Sequence, residues 1–381
     1  MKVRWRCGFG VFLLGCSTTQ QPEGAMFQEV IDRGVADYMG VAEPVEEVTE
    51  GGVTTYTFDV EDGPACIRGE PYRVASREGD PERLFLFLQG GGACWSDLCL
   101  TIEVALPGVP TTLDVLNPDH PNNPVAGHSL VYLPYCDGSM FGGDIDVDED
   151  GDGEPDRIHR GLRNLSAGLD VAKSLHPNPS EVVLAGSSGG AYGTILASVL
   201  VRIAYPDAKI RVFNDAGIGL GDPDDLGFVP RLLEEFGADH LIPDSCAECF
   251  ESGHLTDLLA WILDEDPGLK FAAYSTRRDL IIADVFLGIG GEAFETALVE
   301  QLSRLEQRAP KRYYSYLVDG TSHTALLGDA SGLLGEDFEL PPPFDDLVVL
   351  GSLDDTAPSG LTVGEWMGQL VNDDPEWASV R

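Results

Sequence analysis

Positive charge is what this chain of 381 residues has least of: 24 Lys and Arg stand against 64 Asp and Glu, a formal net charge of −40. That balance excludes nucleic acid as a partner, because phosphate binding needs clustered Lys and Arg. It would also repel a de-esterified polyuronate; its plainest role is to keep the surface soluble. A long uncharged apolar run is missing as well, which excludes a transmembrane helix. No internal repeat is evident. Histidine is sparse, with 7 in the chain, so the search for a catalytic base is short.

Hydrophobic residues make up 43%, ample for one large core, and residues 25–381 are expected to form a single α/β domain. The first fifteen residues are of another kind. Lys2, Arg4 and Arg6 form a basic stretch and Gly8–Leu14 a short apolar one, the layout of an export signal over residues 1–15. It ends in Leu13-Leu14-Gly15-Cys16, which resembles a bacterial lipoprotein signal. Cys16 would then carry the lipid, residues 16–24 would be a polar tether, and the membrane would be a partner through that anchor. Ser17 after the cysteine fits outer-membrane sorting. An ordinary secretory signal with a chance cysteine is the alternative.

Cysteine usage agrees with export. Cys66, Cys94, Cys99, Cys136, Cys246 and Cys249 remain, an even set that suggests up to three disulfides in an oxidising compartment. Cys246-Ala-Glu-Cys249 also has the spacing of a zinc or redox pair. No second such pair and no helical histidine at ligand spacing accompanies it, so a structural disulfide is favoured.

The apolar pattern predicts a helix over Ala25–Tyr38, strands at Val53–Val60, Leu84–Leu88 and Ser129–Leu133, and a helix over Arg160–Leu175. Strand Glu181–Ala185, helix Tyr192–Ile203, strands Lys209–Phe213 and Leu269–Tyr274, helical Leu280–Leu305 and strand Arg312–Val318 follow. Glu339–Asp346 reads as a loop and Leu361–Val371 as a last helix. Strands alternating with helices imply a mostly parallel sheet covered on both faces, an α/β-hydrolase-like three-layer sandwich. Sites in such sheets lie beyond the carboxyl ends of the strands.

Beyond strand Glu181–Ala185 comes Gly186-Ser187-Ser188-Gly189-Gly190 and then a helix. This is G-x-S-x-G in the strand–turn–helix setting that gives the motif meaning, with Ser188 as nucleophile. A bare match to such a motif is weak in a chain with 45 glycines; the setting carries the assignment. A serine hydroxyl needs a base. His323 follows strand Arg312–Val318 and the turn Asp319-Gly320-Thr321-Ser322, where the base of such a fold belongs. His120, His128 and His176 sit beside Pro, Gly or Asn in expected loops, and His240 and His254 flank a cysteine-rich loop.

The third member should be an acid between serine and histidine in the chain. Asp279 opens a helix after strand Leu269–Tyr274; plain helix capping is its competing role. Asp215, after strand Lys209–Phe213, is the rival acid or a brace for the site. Strand Leu84–Leu88 runs into Gln89-Gly90-Gly91-Gly92-Ala93-Cys94. Such a glycine run lets backbone N–H groups approach a reacting carbonyl, so Gly91, Gly92 and Gly189 are expected to form an oxyanion hole. A phosphate cradle is excluded because no Lys-Ser/Thr follows the glycines.

One more segment stands out. Residues 144–156 read DIDVDEDGDGEPD. Asp146, Asp148, Asp150 and Asp152 alternate like the first half of an EF-hand loop, and Asp156 could close a looser calcium site. Arg157 stands where an EF-hand needs Glu. A solvated acidic insertion is the equal alternative. No cofactor is expected for catalysis; structural calcium is the one candidate ion.

Taken in order, FLQGGGAC (87–94) with Cys99, VYLPYCDGSMFGG (131–143), HRGLRN (159–164), AGSSGG (185–190), NDAG (214–217) and DGTSH (319–323) resemble the pectin acetylesterase/Notum family of carboxylesterases. The resemblance spans roughly residues 64–330. It implies a catalytic triad of Ser188, Asp279 and His323, with Gly91, Gly92 and Gly189 as oxyanion donors. Ala93 stands where members often carry an aromatic residue. Ser275 follows Tyr274 where plant-like members place the acid, so Asp279 requires a short shift. The expected activity is hydrolysis of acyl esters, acetyl above all, on an extracellular carbohydrate such as pectin. The alternatives are a deacylase of longer chains and an inactive, calcium-dependent carbohydrate-binding lipoprotein.

Overall fold

Strict alternation along Leu84–Leu88 sets the plan of the molecule. Leu84, Leu86 and Leu88 enter one buried cluster, and Phe85 and Phe87 enter another. Successive strand residues point to opposite faces, so this strand is apolar on both and belongs in the middle of a covered sheet. The computed structural model describes residues 26–330, 333 and 350–381. The predicted signal, the tether with Cys16 and the loop Glu339–Asp346 lie outside them.

In chain order the elements are α1 (Gln28–Asp32), a 3-10 turn at Val35–Tyr38, β1 (Glu46–Glu50), β2 (Val53–Thr57), β3 (Arg73–Arg77), β4 (Asp80–Leu88), β5 (Gly92–Trp95), β6 (Leu98–Thr101) and β7 (His128–Leu133). Then come β8 (Ile145–Val147), β9 (Arg157–His159), α2 (Gly161–Leu175), β10 (Glu181–Ser187), α3 (Gly189–Ala204), β11 (Lys209–Asp215), α4 (Phe228–Glu235) and α5 (Thr256–Glu265). β12 (Lys270–Thr276), a π-helical turn at Ile281–Phe286, α6 (Gly291–Arg308), β13 (Tyr313–Val318) and α7 (Val363–Val371) complete the series.

Nine strands form one sheet in the order β1-β2-β3-β7-β4-β10-β11-β12-β13. From β7 to β13 every neighbour is parallel, whereas β1, β2 and β3 attach as an antiparallel edge. Leu162, Leu165, Ile195, Leu259 and Leu298, from α2, α3, α5 and α6, pack on one face. Trp366, Met367 and Leu370 of α7 pack on the other, with the buried run Ala325–Leu327. This is the mixed α/β architecture with a large, mostly parallel sheet that the strand–helix alternation implies.

Two predicted helices are interrupted. The amphipathic stretch 25–38 breaks at Arg33-Gly34 into α1 and the 3-10 turn, and 280–305 divides into the π-helical turn and α6. Strands β1 and β3 escape the apolar pattern because β1 is exposed throughout, and β3 buries three residues in a row. β5 pairs with β6, and β8 with β9, as small hairpins apart from the main sheet.

Candidate active site

The carboxyl ends of β10, β11, β12 and β13 lie level. Gly186 pairs with Leu88 of β4, Ser187 with Asp215 and Asp215 with Tyr274, and Ser275 pairs with Leu317. All the groups discussed next project from this one edge, where open α/β sheets hold their ligands.

Ser188 sits between β10 and α3 at φ 54°, ψ −122°, a conformation that costs a non-glycine residue of order 1–3 kcal/mol. Its surroundings hold it there. Its N–H donates to Asp215 O at 2.9 Å, and its carbonyl accepts from Ala191 and Tyr192 N–H at 2.8 and 3.1 Å. The turn passes so close to β4 that a Cβ on Gly190 would lie 2.2 Å from Leu88 O. The neighbouring Ser187 is no rival nucleophile: it is 2% exposed, and its hydroxyl donates to Asp215 Oδ2 at 2.7 Å.

Beyond the sheet the loops after β12 and β13 run side by side. Arg277, Arg278 and Leu280 N–H groups donate to Val318, Gly320 and Thr321 carbonyls, and Thr276 Oγ1 donates to Ser322 O at 2.7 Å. This rail carries Asp279 to His323, whose Nδ1 lies 2.7 Å from Asp279 Oδ2. The other oxygen, Asp279 Oδ1, accepts from Ile281 and Ile282 N–H at 3.0 and 3.1 Å. Capping and pairing, opposed in the sequence, are thus shared between the two oxygens of one fully buried carboxylate.

An ionised carboxylate only accepts, so Nδ1 of His323 carries the hydrogen and Nε2 of the neutral ring is an acceptor. Among the described residues Nε2 is buried without a hydrogen-bond partner. His323 and Ser188 line one cavity of about 90 Å³ together with Gly90, Gly91 and Gly92. A second cavity of about 50 Å³, on the other side of Ser188, is walled by Ala93, Trp95, Tyr192, Phe228 and Phe286.

Asp215, the rival acid, braces the site instead of joining the pair. It accepts from Ala325 and Leu326 N–H at 2.8 and 3.0 Å, just past His323, as well as from Ser187. Burial pushes its carboxyl up to about 6, a rise that these three bonds hold in check.

The glycine run also has a definite placement. Ile102 N–H donates to Gly91 O, and Cys94 N–H, turned away from β6, donates to Gly138 O. Gly92 stands two residues before Cys94, at the start of β5. A Cβ here would lie 1.9 Å from Leu100 O, and φ is 90°, so only glycine fits. Gly189 is the first residue of α3, and its N–H is one of those a helix leaves free. A Cβ on it would stand 2.7 Å from Gly92 O, so the two backbones are adjacent.

The cysteines pair as Cys66–Cys136, Cys94–Cys99 and Cys246–Cys249. The Cys246–Cys249 pair is therefore a disulfide, as favoured over zinc. Cys94–Cys99 closes the hairpin that carries Gly92, and buried Arg157 reaches from β9 to Glu235 of α4 at 3.1 Å. Glu235 in turn accepts from Ser96 Oγ at 3.0 Å, at the tip of that hairpin.

The acidic segment forms the tip of the β8–β9 hairpin. Asp148, Asp150 and Asp156 bring carboxylate oxygens within 4.8 Å of one another, all exposed. Asp146 does not join them: it pairs with Arg160 at 2.5 Å. Asp152 is spent on Glu154 N–H at 2.9 Å. Of the five residues, three thus come together, with Asp146 held by Arg160 and Asp152 outside the group.

Missing from the sequence-derived site are the cavity walls. Trp95, Met140, Tyr192, Phe228 and Phe286 come from five separate segments, and no local pattern relates them.

The fold places this chain in the α/β-hydrolase-like class, with a serine in the strained turn and an Asp–His pair on the loops of the last strands. Residues 111–227 match the model of the family described as pectinacetylesterase. That match supports the pectin acetylesterase/Notum family as the one the ordered motifs resemble. It contains Ser188, Gly189 and Asp215, while Gly91, Gly92, Asp279 and His323 fall outside it. No curated protein matches the chain. The family match suggests an ester hydrolase, and with three disulfides it points to an exported protein. Among the described residues no helix is long and apolar enough to cross a membrane.

Proposed function

We propose that this protein is a serine carboxylesterase that hydrolyses acyl esters, acetyl esters of an extracellular polysaccharide such as pectin among them. The observation that carries this reading is the Asp279–His323 bond, which leaves Nε2 unpartnered beside the cavity it shares with Ser188. In the reaction Nε2 takes the hydroxyl proton as Ser188 Oγ attacks the ester carbonyl carbon. The carbonyl oxygen, now negative, is met by the N–H groups of Gly91, Gly92 and Gly189. His323 returns the proton to the leaving alcohol. Water then repeats the sequence on the acyl-enzyme and frees the acid. Asp279 fixes the imidazole tautomer and stabilises its charged form.

The same proposal takes Cys16 as the lipidated anchor, and Asp148, Asp150 and Asp156 as a weak structural calcium site with no part in the chemistry. The esterase reading is tested with Ser188→Ala and p-nitrophenyl acetate. Turnover is expected to fall by roughly 10⁴-fold or more; a variant as active as the parent overturns the assignment.

A further inference from the structure

The apolar cavity beside Ser188 is larger than an acetyl group requires and shares a wall with a second apolar cavity. Where one water needs roughly 10–15 Å³, its space of about 50 Å³ holds several heavy atoms, whereas an acetyl group presents one methyl. Small Ala93 leaves room on the wall next to Gly92, and the rest is hydrocarbon and aromatic: Trp95, Phe228, Leu232, Ile282 and Phe286. Among the described residues no charged one lines it.

Behind it lies a further apolar cavity, also of about 50 Å³, bounded by Leu196, Leu233, Phe236, Leu241 and Leu258. Three residues line both spaces: Met140, Tyr192 and Leu255. They form the partition between them. Two are fixed. Tyr192 Oη donates to Leu220 O at 3.0 Å, and the Leu255 backbone is tied to Gly219 O at 2.7 Å. Met140 alone presents an unbranched side chain with three rotatable bonds, the kind that fills or vacates irregular gaps at low cost. Its backbone, in contrast, is firmly set: φ is 54°, that of Phe141 is 61°, and its N–H donates to buried Tyr135 Oη at 2.9 Å. A rigid backbone with a pliant side chain, placed between two cavities, has the form of a gate.

We propose that Met140 sets the length of acyl chain this enzyme accepts, by closing the first cavity against the second. The proposal rests on the esterase reading and extends it from acetyl to unbranched hydrocarbon acyl groups. With Met140 in place the chain is confined beside Ser188; with it removed, the chain continues past Tyr192 and Leu255 into the space lined by Leu196 and Leu241.

The test is a series of p-nitrophenyl esters from acetyl to decanoyl, with kcat/KM measured for the parent, Met140→Ala and Met140→Gly, the last matching the positive φ. The parent is expected to peak at butanoyl or hexanoyl and fall at decanoyl. Both variants should raise the decanoyl-to-butanoyl ratio about tenfold or more, since even one methylene in an apolar pocket discriminates by roughly that factor. Leu196→Trp, which fills the far cavity, should cancel that gain when added to Met140→Ala. A ratio within about twofold of the parent in folded Met140 variants overturns the inference while the esterase reading stands, as does a gain that survives Leu196→Trp. Absence of turnover at every chain length overturns the esterase reading and this inference with it.

Discussion

Two groups of aspartates in this molecule have opposite surroundings. Asp215 and Asp279, at the carboxyl edge of the sheet, are fully buried. Beside nearer contacts, each holds a partner far along the chain, 110 and 111 residues away for Asp215 and 44 for Asp279. In the β8–β9 tip, Asp148, Asp150, Asp152 and Asp156 are surface groups that accept from backbone N–H groups only 2 to 7 residues away. The first pair ties separate segments together; the second set shapes its own loop. Between these two groups, the sequence distance of the partner, and not the number of neighbouring acids, is what separates the carboxylates of the site from those of the loop.

The sharpest way to break this comparison is Asp279→Asn. It keeps the shape and removes the charge that orients His323, so kcat on p-nitrophenyl acetate should fall by about 10³–10⁴-fold with little change in KM. Retained activity would show that the buried pairing is structural only, no different in kind from the surface turns. Next in size is Asp215→Ala. It strips acceptors from the Ala325 and Leu326 amides and from Ser187, and should destabilise the protein by about 3–5 kcal/mol in denaturant unfolding. A cost below about 1 kcal/mol would remove the brace.

A smaller effect follows from the carboxyl of Asp215, raised from 3.8 to about 6 by burial. For an acid raised on folding, the stabilising contribution is complete below its unfolded value and is lost as pH rises through the folded one. The stability of the parent relative to Asp215→Asn should thus be greatest below about pH 4, decline by roughly 3 kcal/mol between about pH 4 and pH 6, and stay level above that. A difference that grows with pH would reverse the assignment. The least effect belongs to the surface set. If the three exposed carboxylates hold calcium as proposed, chelation should lower the melting midpoint by only about 1–2 °C, and Asp148→Asn should abolish that response. A drop of ten degrees would put the loop among the structural supports of the fold.

What the sequence revealed of all this follows from the same contrast between local and distant partners. Strands β4, β10, β11, β12 and β13 were legible because each is a short apolar run, and Ser188, Asp279 and His323 because each stands just beyond one. The G-x-S-x-G turn needs only its immediate neighbours to be read. β1 was hidden by its uniformly exposed residues. The division of Asp279 between a helix start and His323 was hidden because each role alone satisfies the local pattern. Asp146 carries the spacing of a calcium ligand, yet Arg160, 14 residues on, claims it. The cavity walls were illegible altogether: Met140, Tyr192, Phe228 and Phe286 share no period and meet only when the sheet has formed.

The conformation of Ser188 has a consequence for how the chain changes over generations. A residue held at φ 54° and ψ −122° is one that glycine would occupy with less strain, so Ser188→Gly is expected to make the protein harder to unfold while abolishing its chemistry. Drift in a lineage indifferent to the reaction would run toward that replacement. The hydroxymethyl group at position 188 is thus held at a conformational cost to the fold that glycine would not incur.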